Sequence, residues 1–275
     1  MAVVPFSGPQ VALTIAGSDS GGGAGLQADL RTFTACGVHG CVAVTAVTVQ
    51  NSLGVTGIVE IPPSTLADQI RAVATDIGVA AAKTGMLASA PIMSAVAEVC
   101  DEVGIGASVP LVVDPVAASM HGDPLLTDDA LATLRTKLLP RATLVTPNLD
   151  EVRLLVGIDV RSRTEQHEAA CALHALGSQW VLVKGGHLHD DPECLDLLYN
   201  GSQFTAFIGP RQATAHTHGS GDTLAAAITS ALARGAAIPE AVGYGKHYIE
   251  QAVAHAYPLG AGIGPVSPFW RLKPP

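Results

Sequence analysis

Apolar residues fall into two alternating rhythms along this chain. Six short runs, VALTIA (11–16), VAVTAV (42–47), VAAA (79–82), LVV (111–113), TLV (143–145) and WVLV (180–183), have the length and composition of strands buried on both faces. Between them, apolar positions recur at helical spacing. Leu66, Ile70, Val73 and Ile77 share a face over 65–77, with Thr65 and Asp68 at capping-box spacing. Ile92, Val96, Val99 and Val103 repeat the pattern after a cap at Ser89, and Leu131, Leu134 and Leu138 mark a third helix. A fourth begins at about Gly221, carries Leu224, Ile228, Ala231 and Leu232, and stops at Gly235. This alternation predicts an α/β fold: a doubly wound, mostly parallel sheet with helices on both faces. The segment LDLLYNGSQFTAFI (195–208) reads as a hairpin turning at Asn200 and Gly201, which adds an antiparallel edge. With no linker, repeat or low-complexity segment, one domain over 1–275, residues 1–10 being a short extension, is the economical reading.

Polar residues and glycines gather after each strand: GSDSGGGAG (17–25), TVQN (48–51), KTGM (83–86), DPVAAS (114–119), TPNLDE (146–151) and KGGH (184–187). In open α/β sheets ligands bind outside the carboxyl ends of the strands, so these segments predict one long cleft.

Composition narrows the ligand. The 275 residues are 48% hydrophobic and 14% charged, enough for a substantial core, and the net charge of −9 with no basic cluster argues against nucleic acid. Any bound phosphate is held locally. Cys36, Cys41, Cys100, Cys171 and Cys194 are scattered without a C-x-x-C, as expected of free thiols in a reducing compartment, the cytoplasm. The N-terminus carries no Lys or Arg before Arg31, and no apolar stretch is long enough to span a bilayer, so neither a secretory signal nor a membrane segment is expected.

The first glycine-rich turn matches neither G-x-G-x-x-G nor a P-loop and is weak evidence alone. HTHGSGDTLAAAI (216–228) says more. It sets Gly219, Ser220 and Gly221 at a helix start, where unpaired amides and the positive end of the helix dipole favour anions, yet it places Asp222 among them. One reading is a first-turn acid stabilised by the dipole. The other is a division of labour, in which the amides hold a γ-phosphoryl group in its transition state while Asp222 accepts the proton of the attacking hydroxyl. Asn148 and Glu151 either serve Mg²⁺ waters and a nucleotide phosphate or form an Asn cap with its N3 acid. Lys184 either reaches a phosphate or is solvated. The H-x-H pairs His187/His189 and His216/His218 lack further ligands at zinc spacing and read as structural or peripheral.

TIAGSDSGGGAGLQADLRTF, AVTVQN, AAKTGML, GDPLL, TPNLDE, VKGGHL and THGSGDTLAAAI occur in the order seen in hydroxymethylpyrimidine/phosphomethylpyrimidine kinases of thiamine biosynthesis, which the chain resembles from about residue 11 to GIGPV at 262–266. The resemblance implies a ribokinase-like fold, ATP as co-substrate with Mg²⁺, successive phosphorylation of the aminopyrimidine alcohol and its monophosphate, and a homodimer. It further implies that Gln50, Gly17, Asp29 and Met86 line the pyrimidine pocket and that Asn148, Lys184 and Thr217 face the nucleotide. Glu151 and Asp114 would face the metal, with Gly219, Ser220, Gly221 and Asp222 at the reacting phosphate. A Gln carboxamide can pair with the amino group and ring nitrogen of an aminopyrimidine as it pairs with adenine. Taken alone, Gln50 reads as a polar loop residue and Met86 as a core filler. Two positions depart from the family: Asp222 stands where many members carry Cys, and Met120 and His121 stand where a lysine commonly precedes GD. Two alternatives share the scaffold: a pyridoxal-type or other small-alcohol kinase, and a non-catalytic ligand-sensing regulator.

Overall fold

The computed structural model describes residues 8–117, 126–186, 188 and 193–272. Its strands are β1 (Val11–Ser18), β2 (His39–Asn51), β3 (Gly54–Glu60), β4 (Ala81–Thr84), β5 (Leu111–Val113), β6 (Leu144–Val145), β7 (Trp180–Val183), β8 (Glu193–Tyr199) and β9 (Phe204–Pro210). Its helices are α1 (Gly25–Ala35), α2 (Pro63–Ala72), α3 (Ala90–Val103), α4 (Asp128–Thr133), α5 (Leu149–Val156), α6 (Arg163–His174), α7 (Ser220–Ala233) and α8 (Ile238–Ala254). The strands form one sheet in the order β3-β2-β1-β4-β5-β6-β7-β8-β9. From β2 to β7 every pairing is parallel, while β3 and the β8–β9 hairpin close the two edges antiparallel.

Alternation along the central strands explains the two layers. Leu13, Ile15, Val113 and Val183 join Ile70, Val96, Leu131, Val152 and Leu173 from α2 to α6 in one apolar cluster. Their neighbours Ala12, Val112 and Leu182 join Phe33 of α1, Leu224 and Ile228 of α7 and Val242 of α8 in another. Both faces of the strands are therefore buried, which is why the runs lack polar alternation.

Local details differ from the sequence reading where backbone chemistry overrides side-chain spacing. The second helix is capped by Pro62 with Pro63 at its first turn rather than by Thr65, because a proline ring is already set for helical φ. Ser89 occupies the cap of α3, but its hydroxyl donates to Glu60 (2.6 Å) instead of capping the helix. The helical spacing over 65–77 and 131–138 is real, yet both helices end in a π-helical turn, Val73–Ile77 and Leu134–Leu138. Strand β4 runs two residues later than VAAA, which carries Lys83 into the sheet.

Replacing the fully buried Ile70 by Ala is expected to cost about 2–5 kcal/mol. Ile58→Ala on β3, where the side chain is 52% exposed, should cost less than about 0.5 kcal/mol. Urea unfolding of the two variants measures the contrast.

Candidate active site

Parallel strands deliver their carboxyl ends to one edge, and two glycine turns meet there. The first, between β1 and α1, is folded around Asp19. Its Oδ1 accepts from the Gly21 amide (2.8 Å) and its Oδ2 from the amides of Gly23 and Ala24 (both 2.9 Å), while its own amide donates to Gln27 Oε1 (2.8 Å). The second turn precedes α7 and leans on the first through His218, whose Nε2 donates to Asp19 Oδ2 (3.0 Å). Burial would raise the Asp19 carboxyl, but the bonds from His218, Ala24 and Gly21 outweigh it and hold the group below its ordinary value.

Glycine is required where these turns touch. Gly219 caps α7 with φ +74°, and a Cβ there would stand 1.9 Å from the Gly23 carbonyl oxygen. That backbone atom has no rotamer by which to retreat. The helix start so created has no side-chain cap, and among the described residues the amides of Gly221 and Asp222 have no backbone acceptor.

Two charged clusters flank this helix start. In one, Lys83 of β4 is 0% exposed and its Nζ lies 2.8 Å from Asp29 Oδ1 and 3.4 Å from Asp222 Oδ1. Asp29 is equally buried and accepts from Thr14 Oγ1 on its other oxygen (2.6 Å). Burial disfavours the lysine's charge, yet Asp29 and Asp222, with Asp114 further off, raise its pKa above the ordinary value. In the other cluster Lys184 Nζ meets Asp114 Oδ1 (3.2 Å) and Glu151 Oε2 (3.9 Å). Burial pushes the Glu151 carboxyl up to about 7 against the pull of Lys184, with Asp114 adding to the rise. Asn148 and Glu151 form a reciprocal capping box on α5 (2.9 and 2.8 Å), so the capping alternative holds for this pair even though it also lies beside Lys184. Val116, just past Asp114, has φ +42°, an unusual conformation for a β-branched residue at the rim of such a site.

A cavity of about 780 Å³ opens beside the second cluster. Asn148, Lys184, Thr217, Ser220 and Gly221 line one end, and Lys246, Ile249, Glu250 and Val253 of α8 line the other. On the opposite side of α7's start, a Cβ on Gly17 would stand 2.2 Å from Met86 Cε, and Thr45 Oγ1 donates to the Met86 carbonyl (2.7 Å). Gln50 lies near by, with its Nε2 3.5 Å from His218 Nε2 and its Oε1 accepting from Thr48 Oγ1 (3.2 Å).

All the residues expected from the sequence thus collect along this edge, with one change of role. Asp29 does not line a ligand pocket: it is sealed beneath the surface with both carboxylate oxygens engaged. Of the two readings for His216 and His218 the structural one fits: His218 joins the two glycine turns beside Gln50, and His216 Nδ1 accepts from the Gly264 amide (3.0 Å). Lys83 went unassigned, although a lysine ending an apolar strand run was the available signal. The pair His187/His189 and the loop with Met120 and His121 lie outside the described residues.

A parallel sheet with antiparallel edges, whose strand ends surround an uncapped, glycine-framed helix start bearing an acid, defines a ribokinase-like kinase. The family model for phosphomethylpyrimidine kinase matches residues 19–267, and the chain belongs to that family. It is 59% identical over 271 residues to the hydroxymethylpyrimidine/phosphomethylpyrimidine kinase of Mycobacterium leprae, covering 97% of this chain and 96% of that one. Among solved structures, Bacillus subtilis pyridoxal kinase in an ADP complex superposes with a TM-score of 0.89 at 36% identity, covering 96% of this chain and 100% of that one. The phosphomethylpyrimidine kinase of Clostridium difficile 630 does so with a TM-score of 0.78 at 38% identity, covering 88% and 99%. The protein is therefore an enzyme of the kinase class, and among the described residues no helix is long and apolar enough to cross a membrane.

Gly219→Ala is expected to destabilise the fold by about 1–3 kcal/mol, because it adds strain at positive φ and forces the two turns apart. The matched control Gly157→Ala, also at positive φ but with open space around it, should retain turnover while Gly219→Ala loses it. Denaturant titration and a kinase assay on both variants check this.

Proposed function

We propose that this chain transfers the γ-phosphoryl group of ATP to the hydroxymethyl oxygen of 4-amino-5-hydroxymethyl-2-methylpyrimidine, and then phosphorylates the monophosphate to the diphosphate, in thiamine biosynthesis. The observation that carries this reading is Asp222, a carboxylate in the first turn of α7, 3.4 Å from a buried lysine and next to amides that have no backbone acceptor. Asp222 takes the proton of the substrate hydroxyl as that oxygen bonds to the γ-phosphorus, the bond to the β-phosphate oxygen breaks, and ADP leaves. The amides of Gly221 and Asp222 face the charge that develops on the transferred group, while the Ser220 amide is held by the Thr217 carbonyl (3.1 Å). Acid and phosphate thereby meet different atoms of one reaction.

Asn148, Lys184 and Thr217 would hold the nucleotide in the cavity. The donor set also suits a divalent cation: among the described residues the carboxylates of Asp114 and Glu151 share the single ammonium of Lys184. Asp114 and Glu151 would hold Mg²⁺, with water and phosphate completing the shell, and the ion would supply charge neutralisation to the phosphates. Gln50, Gly17 and Met86 would face the ring, with Gln50 reading its amino group and adjacent nitrogen.

We further infer a homodimer, located in the cytoplasm, where the five free thiols stay reduced. Its support is the β2–β3 edge, where Val47 and its cross-strand partner Val59 lie beside Val49, all exposed and on one face. A second copy of the chain would bury this apolar ladder.

Incubation with ATP, Mg²⁺ and the pyrimidine alcohol or its monophosphate should yield the diphosphate by mass spectrometry, and Asp222→Ala should lower kcat by about 10²–10⁴-fold. Undiminished transfer by that variant would remove Asp222 as the base. With pyridoxal in parallel, Gln50→Leu should impair pyrimidine turnover about tenfold or more while sparing pyridoxal. Equal losses on both substrates would count against Gln50 as the reader of the ring, and phosphorylation of pyridoxal alone would transfer the reading to a pyridoxal-type kinase. Light scattering should give twice the chain mass, falling to one chain in Val49→Asp.

A further inference from the structure

We propose that Lys83 is a positioning residue for phosphoryl transfer, fixing the carboxylate of Asp222 at the carboxyl ends of the strands, with Asp29 as the counter-charge that keeps this grip loose. The inference rests on the reading of Asp222 as the base and extends it to the groups behind it.

The geometry is asymmetric in a useful way. Lys83 Nζ is 2.8 Å from Asp29 but 3.4 Å from Asp222, and it contacts only one oxygen of Asp222. The second oxygen has no hydrogen-bond partner among the described residues, and the side chain keeps 16% exposure, so the carboxylate is anchored at one end and open at the other. A full-strength pair with Lys83 would stabilise the anion so well that it would take up a proton poorly. No ammonium at all would leave Asp29 and Asp222 as two repelling carboxylates in a buried place, one of which would bind a proton and lose its basicity. Sharing one ammonium between a buried carboxylate and a reactive one avoids both failures. Thr14 reinforces the sharing, because its bond to Asp29 Oδ2 turns that carboxylate's other oxygen to Lys83.

The charged groups around this arrangement come from separate elements. Asp29 comes from α1, Lys83 from β4, Asp114 from the end of β5 and Lys184 from the end of β7. From β1 only the uncharged Thr14 enters the cluster, and Lys246 of α8 is engaged by Asp196 instead (3.0 Å). Lys184 is spent on Asp114 and Glu151, which leaves Lys83 as the cation in contact with Asp222 among the described residues.

The test compares Lys83→Met, Asp29→Asn and the charge-neutral double variant, which removes the burden of a lone buried charge and guards against a misfolded single. Folding is checked by circular dichroism, and kcat and kcat/KM for the pyrimidine alcohol with Mg²⁺ and ATP are followed against pH. In Lys83→Met and in the double variant the acid limb of kcat/KM should move to higher pH by about one unit or more, and kcat near neutrality should fall about tenfold, with KM for ATP within about twofold. Asp29→Asn should move the limb the other way, to lower pH, because Lys83 then serves Asp222 alone. A merely structural role would lower activity in all three without these opposed shifts. Acid limbs coinciding with that of the unmodified enzyme would overturn the proposal. Asp222→Asn measured alongside separates the two failures: if it keeps turnover, the reading of Asp222 falls and the role of Lys83 with it, whereas if it is inactive while the limbs stay in place, only Lys83 is refuted.

Discussion

An ammonium group withdrawn from water persists in charged form only where carboxylates come to meet it, and Lys83 imposes that condition on the middle of this fold. Its position is set by β4, which lies between β1 and β5, so the carboxylates must arrive from elements packed against that strand. Asp29 arrives from α1 and Asp222 from α7, both on the same face of the sheet. The ion pair therefore ties an early helix to a late one across nearly 200 residues of chain, Asp29 to Asp222, and removing one partner alone would strand a buried charge. Such a pair is weak evidence for stability but strong evidence for a defined arrangement, since few other geometries of α1, β4 and α7 satisfy it.

Once α7 is held there, close backbone approach decides what its N-terminus can do. Gly219 lets the turn before α7 lie against the Gly23 carbonyl, and Asp19 gathers the amides of the first turn so that they do not compete for the space above the helix. His218 joins the turns through the same carboxylate. The outcome is an uncapped helix start with negative charge on two sides and free amides between, an arrangement that accommodates an anion arriving with its own cation better than an anion alone.

How much of this was legible in the sequence depended on whether a residue's role is local. The buried runs at 11–16, 111–113 and 180–183 coincide with strands because continuous apolar stretches have few other uses, and Asn200-Gly201 marks its hairpin because the turn chemistry is self-contained. Strand β3 escaped notice: it is exposed along nearly its whole length and contains glycine, so it shows no burial pattern and exists only because β2 offers it an edge. Asp29 enters the pocket only through the family resemblance, because nothing local in the sequence gives it a role, and the partner it serves, Lys83, is 54 positions away. No spacing rule connects those two residues. The sheet does, by placing the third strand of the parallel run beside the first.

The same separation of local from distant bears on substrate choice. The chain superposes on a pyridoxal kinase with a TM-score of 0.89 yet is 59% identical to a hydroxymethylpyrimidine/phosphomethylpyrimidine kinase, so backbone shape alone does not distinguish the two activities. In the proposed mechanism the parts that serve phosphoryl transfer, namely the free amides, Asp222 and the lysines behind it, are indifferent to the ring that carries the hydroxyl. On the proposed reading, discrimination comes from the wall formed by Gly17, Met86 and Gln50, where a single carboxamide would meet either an amino group and a nitrogen or a phenolic oxygen and a formyl group. Buried polar groups left unpaired by the wrong ring penalise it far more than a change in apolar contact would. A fold of this kind can therefore keep its catalytic frame and change substrate at a few positions, and on the proposed reading Gln50, held by Thr48 and next to His218, is the first of them.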